Sequence, residues 1–262
     1  MNPSEHHLPL THKSKGSYDD VINGKGYYVN YKLTPNELRE ITSYVQSQWL
    51  DVILIKYPSV AKQILKQKIH ISDYHKISPN LNHSELWPKS SRLLPISTAQ
   101  YLYKTSLFSN LFRDYGLIEI SDEEKIGRPN IYWRLVRPNE LDDIGPLHRD
   151  SWFWALNKNH PTPQYPFYRV KVWIPLYCEA GTNGLLLEPY SQNRTDILWS
   201  SEYRHGLNKP VLNMDPNHLN AQLVFTNPGQ AIVFNDDLLH GGALNTAEKC
   251  RISFEFTIFA RK

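Results

Sequence analysis

From about residue 130 onward, strand-like runs alternate with Pro/Gly/Asn turns, without a βαβ alternation. The runs are Ile131–Val136, Arg169–Leu176, Gly184–Glu188, Gln222–Phe225, Ala231–Phe234 and Arg251–Phe259. Strands in succession without βαβ alternation indicate antiparallel pairing, as a sandwich or a closed barrel. The 18 Pro, 12 Gly, 7 Trp, 16 Tyr and 9 Phe suit many short strands and turns better than a helical bundle.

The first half reads differently. Thr34-Pro35-Asn36-Glu37 combines an N-cap, a proline at the first helical position and a glutamate three residues on. Leu38, Ile41, Val45, Trp49 and Val52 then recur at helical spacing, giving one apolar face. A weaker helical stretch follows over 57–75, a Pro/Ser/Asn-rich loop over 76–96, and a third helix from near Ser97 to Gly116. The segment Gly26-Tyr-Tyr-Val-Asn-Tyr is strand-like. Residues 1–20, polar and bearing His6, His7 and His12, read as a flexible lead-in. The expected organisation is a single domain over 21–262, α+β and mainly β, with a helical part over about 34–116 and a β core over about 130–260.

Composition excludes several classes of partner. The balance of 29 Lys+Arg against 26 Asp+Glu leaves a net charge of +3, with no run of like charges to bind nucleic acid. No apolar stretch is long enough to cross a membrane, and the first residues lack the pattern of an export signal. A cytoplasmic location is the default, and the sequons at Asn82 and Asn193 then carry little meaning. Cys178 and Cys250 are too few for a disulfide framework or a thiolate zinc site.

Chemistry is concentrated in three places. In an extended segment, His148 and Asp150 of Leu147-His-Arg-Asp150 point the same way and offer an imidazole and a carboxylate to one point. One further imidazole would complete a two-His-one-carboxylate face with open positions, the ligand set of non-heme Fe(II) oxygenases. His240 stands at the far end of the run Asn227–Leu239, before a glycine pair. In the last run, alternation puts Arg251, Ser253, Glu255 and Thr257 on one face and Ile252, Phe254, Phe256 and Ile258 on the other. A guanidinium beside a hydroxyl suits a carboxylate ligand. On spacing alone, surface polar groups are the simpler reading of each of these residues.

Taken together, His148-x-Asp150, His240 and Arg251-x-Ser253 resemble the phytanoyl-CoA dioxygenase-like group of Fe(II)/2-oxoglutarate oxygenases. The likeness extends to Val172-Trp-Ile-Pro-Leu176, to Asn183-Gly-Leu-Leu-Leu-Glu-Pro189, and to the Gly-Tyr-Tyr-Val strand with its capped helix. After Pro189 the chain departs from the family, reading Tyr-Ser-Gln where Gly-Ser-His is common. The resemblance implies a double-stranded β-helix (jelly-roll, cupin-like) core with N-terminal helices packed on one sheet. It implies His148, Asp150 and His240 as Fe(II) ligands and catalytic centre. Arg251 and Ser253 would hold 2-oxoglutarate, with O2 as the other cosubstrate, succinate and CO2 as products, and a small-molecule substrate. A carboxylate at 150 leaves no room for the halide that halogenating relatives bind, which favours hydroxylation.

Trp152, Trp154, Arg169, Lys171 and Trp173 are the candidate substrate contacts, an aromatic wall with cationic edges (Arg134, Arg137 and Arg149 among them) suited to a polar or anionic small molecule. Asp236 and Asp237 could order His240 or simply form a turn, and Cys250 reads as a small buried hydrophobe. Two other readings are a metal enzyme with the same ligands and no oxoacid, and a non-catalytic jelly roll that binds sugars or a partner protein.

Overall fold

The computed structural model describes residues 16–116, 119–157, 160–204 and 206–262. The lead-in over 1–15, with its three histidines, lies outside them. A short helix α1 (Ser17–Ile22) opens the described residues. Strand β1 (Tyr27–Lys32) follows, then the long helix α2 (Pro35–Lys56). Its capping box is complete: the Thr34 hydroxyl accepts from the Glu37 amide, and a Glu37 carboxylate oxygen accepts from the Thr34 amide. Ile41, Val45, Trp49 and Ile53 form its buried face.

Next come α3 (Pro58–Gln67), the single turn α4 (His83–Leu86), α5 (Ile96–Leu102) and α6 (Ser106–Tyr115). The one helix expected from Ser97 to Gly116 is therefore two. Thr105 interrupts it because its hydroxyl takes the amide of Phe108 and so caps a new helix. Gly116 closes α6 at φ +55°, a left-handed conformation that glycine adopts without steric cost. Glu37 ties the two helical regions together, since its carboxylate also accepts from the Ser106 amide at 2.6 Å and the Ser106 hydroxyl at 3.0 Å.

The second half supplies β2 (Tyr132–Val136), α7 (Asp150–Leu156), β3 (Phe167–Tyr177), β4 (Leu185–Leu187), β5 (Trp199–Arg204) and β6 (Leu207–Leu212). It ends with β7 (Gln222–Leu223), β8 (Gln230–Asn235), β9 (His240–Gly242) and β10 (Arg251–Arg261). The strands pair antiparallel into a five-stranded sheet, β1-β8-β3-β10-β2, a three-stranded sheet, β7-β4-β9, and the ribbon β5-β6. The fold is thus a mixture of helix and antiparallel sheet, with the strands at its centre.

Alternation along β3 and β10 divides the larger sheet into two unlike faces. Val170, Val172, Ile174, Ile252, Phe254, Phe256 and Ile258 join the helices in the main core. On the other face Trp173, Ile232 and Phe234 meet Leu185 and Leu187 of the small sheet. That inner face also carries Lys171, Arg251, Ser253, Glu255 and Thr257, all buried. Burying such groups is costly unless each is paired or serves a ligand, so their concentration makes this face the candidate for a site. Among the described residues no helix is long and apolar enough to cross a membrane.

The Glu37 contacts make a testable link. Burial alone would raise its carboxyl, but the amides of Ser106 and Thr34 outweigh that and hold it below its ordinary value of 4.5. Its contribution is therefore complete above that value and lost as pH falls through the lower folded one. Glu37→Ala is expected to cost about 1–2 kcal/mol in urea unfolding at pH 7, with the difference from the parent chain shrinking toward pH 3.

Candidate functional site

Two chain segments meet edge to edge at the open side of the small sheet. His148 and His240 exchange backbone hydrogen bonds, each amide donating to the other's carbonyl at 2.8 and 2.9 Å. This reciprocal pair places the two side chains next to each other, with ring centroids 4.3 Å apart. The glycine pair after His240 lets the segments close. A Cβ at Gly241 would stand 3.1 Å from the Leu147 amide nitrogen, and one at Gly242 would stand 2.7 Å from Ile144 Cγ2.

Asp150 arrives by a different route from the one its spacing implied. The chain is extended through Arg149 (φ −107°, ψ 138°) but turns into α7 at Asp150 itself, so the carboxylate projects from the first residue of a helix. Its Oδ1 lies 3.4 Å from Nε2 of His148 and 3.7 Å from Nε2 of His240. All three donor atoms fall within 4.8 Å of one another, the one such cluster among the described residues.

The surroundings set the protonation states. Nδ1 of His148 is 2.7 Å from the Pro146 carbonyl, and Nδ1 of His240 is 2.9 Å from the Leu238 carbonyl. A carbonyl only accepts, so each Nδ1 carries a proton and each Nε2 faces the cluster. Burial, then the neighbouring His148, push His240 down to about 4, which keeps it neutral at physiological pH. Burial would raise the Asp150 carboxyl, but Lys171 above all, then the two histidines, hold it well below the usual carboxylate range. Asp236 does not touch the His240 side chain. Its backbone carbonyl instead accepts from the Ser151 amide at 3.1 Å, tying the start of α7 to the loop before His240.

The sheet face that carries Lys171 is also rich in buried donors. Arg251 is buried, 3% exposed, with its guanidinium 5.6 Å from the centre of the Trp173 ring. One of its amino groups donates to the Gly184 carbonyl. Arg251 Nε, Ser253 Oγ and Trp173 Nε1 are buried without a hydrogen-bond partner among the described residues. Each orphaned donor costs about 1–3 kcal/mol, so three together fit a ligand that only accepts, such as a carboxylate. The donor set of two imidazoles and one carboxylate likewise fits Fe(II).

The other basic residues are already engaged. Arg134 donates to Glu255 Oε1 through Nε (2.8 Å) and Nη2 (2.6 Å). Arg137 binds Asp143 through two hydrogen bonds of 2.9 Å, and Arg149 donates to the Ser191 and Arg194 carbonyls. Lys171 sits 3.6 Å from Asp150 Oδ2 and 3.9 Å from Glu123 Oε1. Burial pulls its ammonium down, but Asp150, Glu123 and Glu255 outweigh that and hold it above its ordinary range.

Trp152 stacks on Trp199 in a small cluster with Ile197 and Leu239, where it anchors α7 from behind. Trp154 carries the Arg169 guanidinium 4.4 Å from its ring centre. Phe153, between them, meets His148 edge-on at 5.4 Å. Sequence reasoning places Phe153 among the aromatics around the metal but misses Glu123. The aromatic run 152–154 was the only sequence signal for Phe153, and Glu123 had none.

No protein-family model and no curated protein matches the chain. Solved structures share its fold. EctD from S. alaskensis, solved with 2-oxoglutarate and 5-hydroxyectoine, is 12% identical, with 99% of this chain and 86% of that one aligned at a TM-score of 0.55. SnoK, a non-heme alpha ketoglutarate dependent carbocyclase from nogalamycin biosynthesis, is 11% identical over 96% of this chain and 86% of that one (TM-score 0.53). The non-heme monooxygenase ThoJ is 12% identical over 90% and 74% (TM-score 0.52). At such identities the likeness is one of fold.

Closure of the two histidine segments depends on the missing side chain at 241. Gly241→Ala is expected to force the Leu147 backbone away and weaken Fe(II) binding by about tenfold or more, read by anaerobic titration. Unchanged affinity would show that the bridge does not set the histidines.

Proposed function

We propose that this chain is a non-heme Fe(II)/2-oxoglutarate-dependent oxygenase of the phytanoyl-CoA dioxygenase-like kind, with a double-stranded β-helix core, and that it hydroxylates a small polar metabolite. One observation carries the reading: Nε2 of His148, Nε2 of His240 and Oδ1 of Asp150 converge, and the sheet face that carries Lys171 also buries Arg251 Nε and Ser253 Oγ without hydrogen-bond partners. The fold shared with EctD and SnoK, proteins solved with or dependent on the same oxoacid, supports it. A metal enzyme without an oxoacid would leave Arg251 and Ser253 without a task. A sugar-binding jelly roll would leave the three ligands without one.

His148, Asp150 and His240 would hold Fe(II) and leave half of its coordination sphere open. Arg251 and Ser253, with Trp173 Nε1 alongside, would hold the distal carboxylate of 2-oxoglutarate. When bound, the iron and the oxoacid supply the oxidation of the substrate by O2, with succinate and CO2 released. The carbonyls of Pro146 and Leu238 fix the two imidazoles in the tautomer that faces the ion. Phe234, its ring 4.6 Å from that of His240, covers that buried imidazole, and Phe153 meets His148 edge-on. Asp150 fills the place a halide would need, which favours hydroxylation.

The substrate wall is more balanced than its cationic composition implied. Lys171 and Arg134 face Glu123 and Glu255, two charges of each sign that answer one another. Arg169, like Arg149, keeps a buried Nε without a partner, and it lines a cavity of about 380 Å³ together with Asn235, Asp236 and Asp237. Hydrogen-bonding groups of both signs suit a small polar molecule better than a simple anion or a long acyl chain.

Anaerobic addition of Fe(II) and then 2-oxoglutarate is expected to produce the weak visible charge-transfer band of the chelate. His148→Ala and His240→Ala are each expected to lose both that band and conversion of 2-oxoglutarate to succinate. Arg251→Ala is expected to keep Fe(II) binding and lose 2-oxoglutarate affinity by about 30-fold or more. Turnover retained in either histidine variant contradicts the ligand assignment.

A further inference from the structure

Lys171 stands on β3, opposite Thr257 in the register with β10, and its side chain is only 9% exposed. Lysine is seldom buried this deeply unless a partner demands it. Glu123 is held from the other side, accepting from the Thr257 hydroxyl at 3.0 Å and lying 3.5 Å from Lys89, so the ammonium is fixed between two anchored carboxylates. The two oxygens of Asp150 are consequently divided. Oδ1 faces both histidine Nε2 atoms, while Oδ2 is buried without a hydrogen bond and has the Lys171 ammonium at 3.6 Å.

We propose that Lys171 is a positioning residue that engages Oδ2 of Asp150, so that Oδ1 alone faces the two histidines. The proposal rests on the reading of His148, Asp150 and His240 as a metal centre. A carboxylate on the first residue of a helix is free to turn about its side-chain torsions and offer a cation either oxygen or both. A cation behind one oxygen removes that freedom at a cost, because it also repels the ion. The two effects have opposite signs. If Lys171 acted only as a charge, its removal would tighten metal binding and leave the coordination unchanged. If it positions Asp150, its removal frees Oδ2 and alters the coordination.

Co(II), whose visible absorption reports the number and arrangement of its ligands, is the probe, added to the full chain without 2-oxoglutarate or substrate. Lys171→Met is expected to change the position and intensity of the Co(II) bands and to weaken binding about tenfold. Lys171→Arg is expected to restore both. Removing a buried cation strands a carboxylate, so K171M/E123Q, which deletes one charge of each sign, provides a second test should K171M fold poorly. It is expected to show the same altered bands. Wild-type bands in either variant, at any affinity, overturn the proposal. Failure of the parent chain to bind Co(II), or binding that survives His148→Ala, overturns the metal-centre reading instead.

Discussion

The exchange of two backbone hydrogen bonds between His148 and His240 is the interaction on which the site depends. It joins residues that are far apart in the chain. It also fixes both rings through carbonyls two residues upstream, those of Pro146 and Leu238. Because these restraints are backbone contacts, they are set before any ligand arrives. The remaining donor, Asp150, is placed by the start of α7, which is held by Trp152 against Trp199 and by the bond from the Ser151 amide to the Asp236 carbonyl. Rigid elements thus place each of the three side chains, as a preorganised centre requires.

The larger sheet separates stability from chemistry by its two faces. One face is wholly apolar and packs under α2 and α6, and that burial carries the fold. The other bears five buried polar or charged residues, which weaken the fold unless they are answered. Some are answered within the protein, as Glu255 is by Arg134. Arg251 is answered only in part, through Gly184, and Ser253 Oγ and Trp173 Nε1 on the same face have no partner among the described residues. This division between balanced charges and orphaned donors distinguishes the wall of a site from the point that grips a ligand.

Local signals were legible in the sequence, and tertiary ones were not. The Thr34–Glu37 capping box, the α6 stop at Gly116 and the alternation of β10 depend on residues close in the chain, and each could be read from its pattern. The break at Thr105 was hidden because a threonine is compatible with either helix or cap. β9 was hidden because two of its three residues are glycines, which have no preference for strand. The ribbon β5-β6 is largely exposed and lacks an apolar alternation to betray it. Within the site, residue types and spacing named the ligand candidates. The pairing of Arg134 with Glu255 is a property of strand register, and that of Lys171 with Glu123 of a turn held against Thr257 of β10, so neither could be read from composition, which is why the wall looked cationic.

The most direct test is anomalous diffraction at the iron edge from crystals grown anaerobically with Fe(II) and 2-oxoglutarate. The account predicts one iron peak in contact with Nε2 of His148, Nε2 of His240 and a carboxylate oxygen of Asp150, with the oxoacid's far carboxylate on Arg251 and Ser253. Iron bound elsewhere, or an oxoacid that leaves the Arg251 guanidinium untouched, would contradict it.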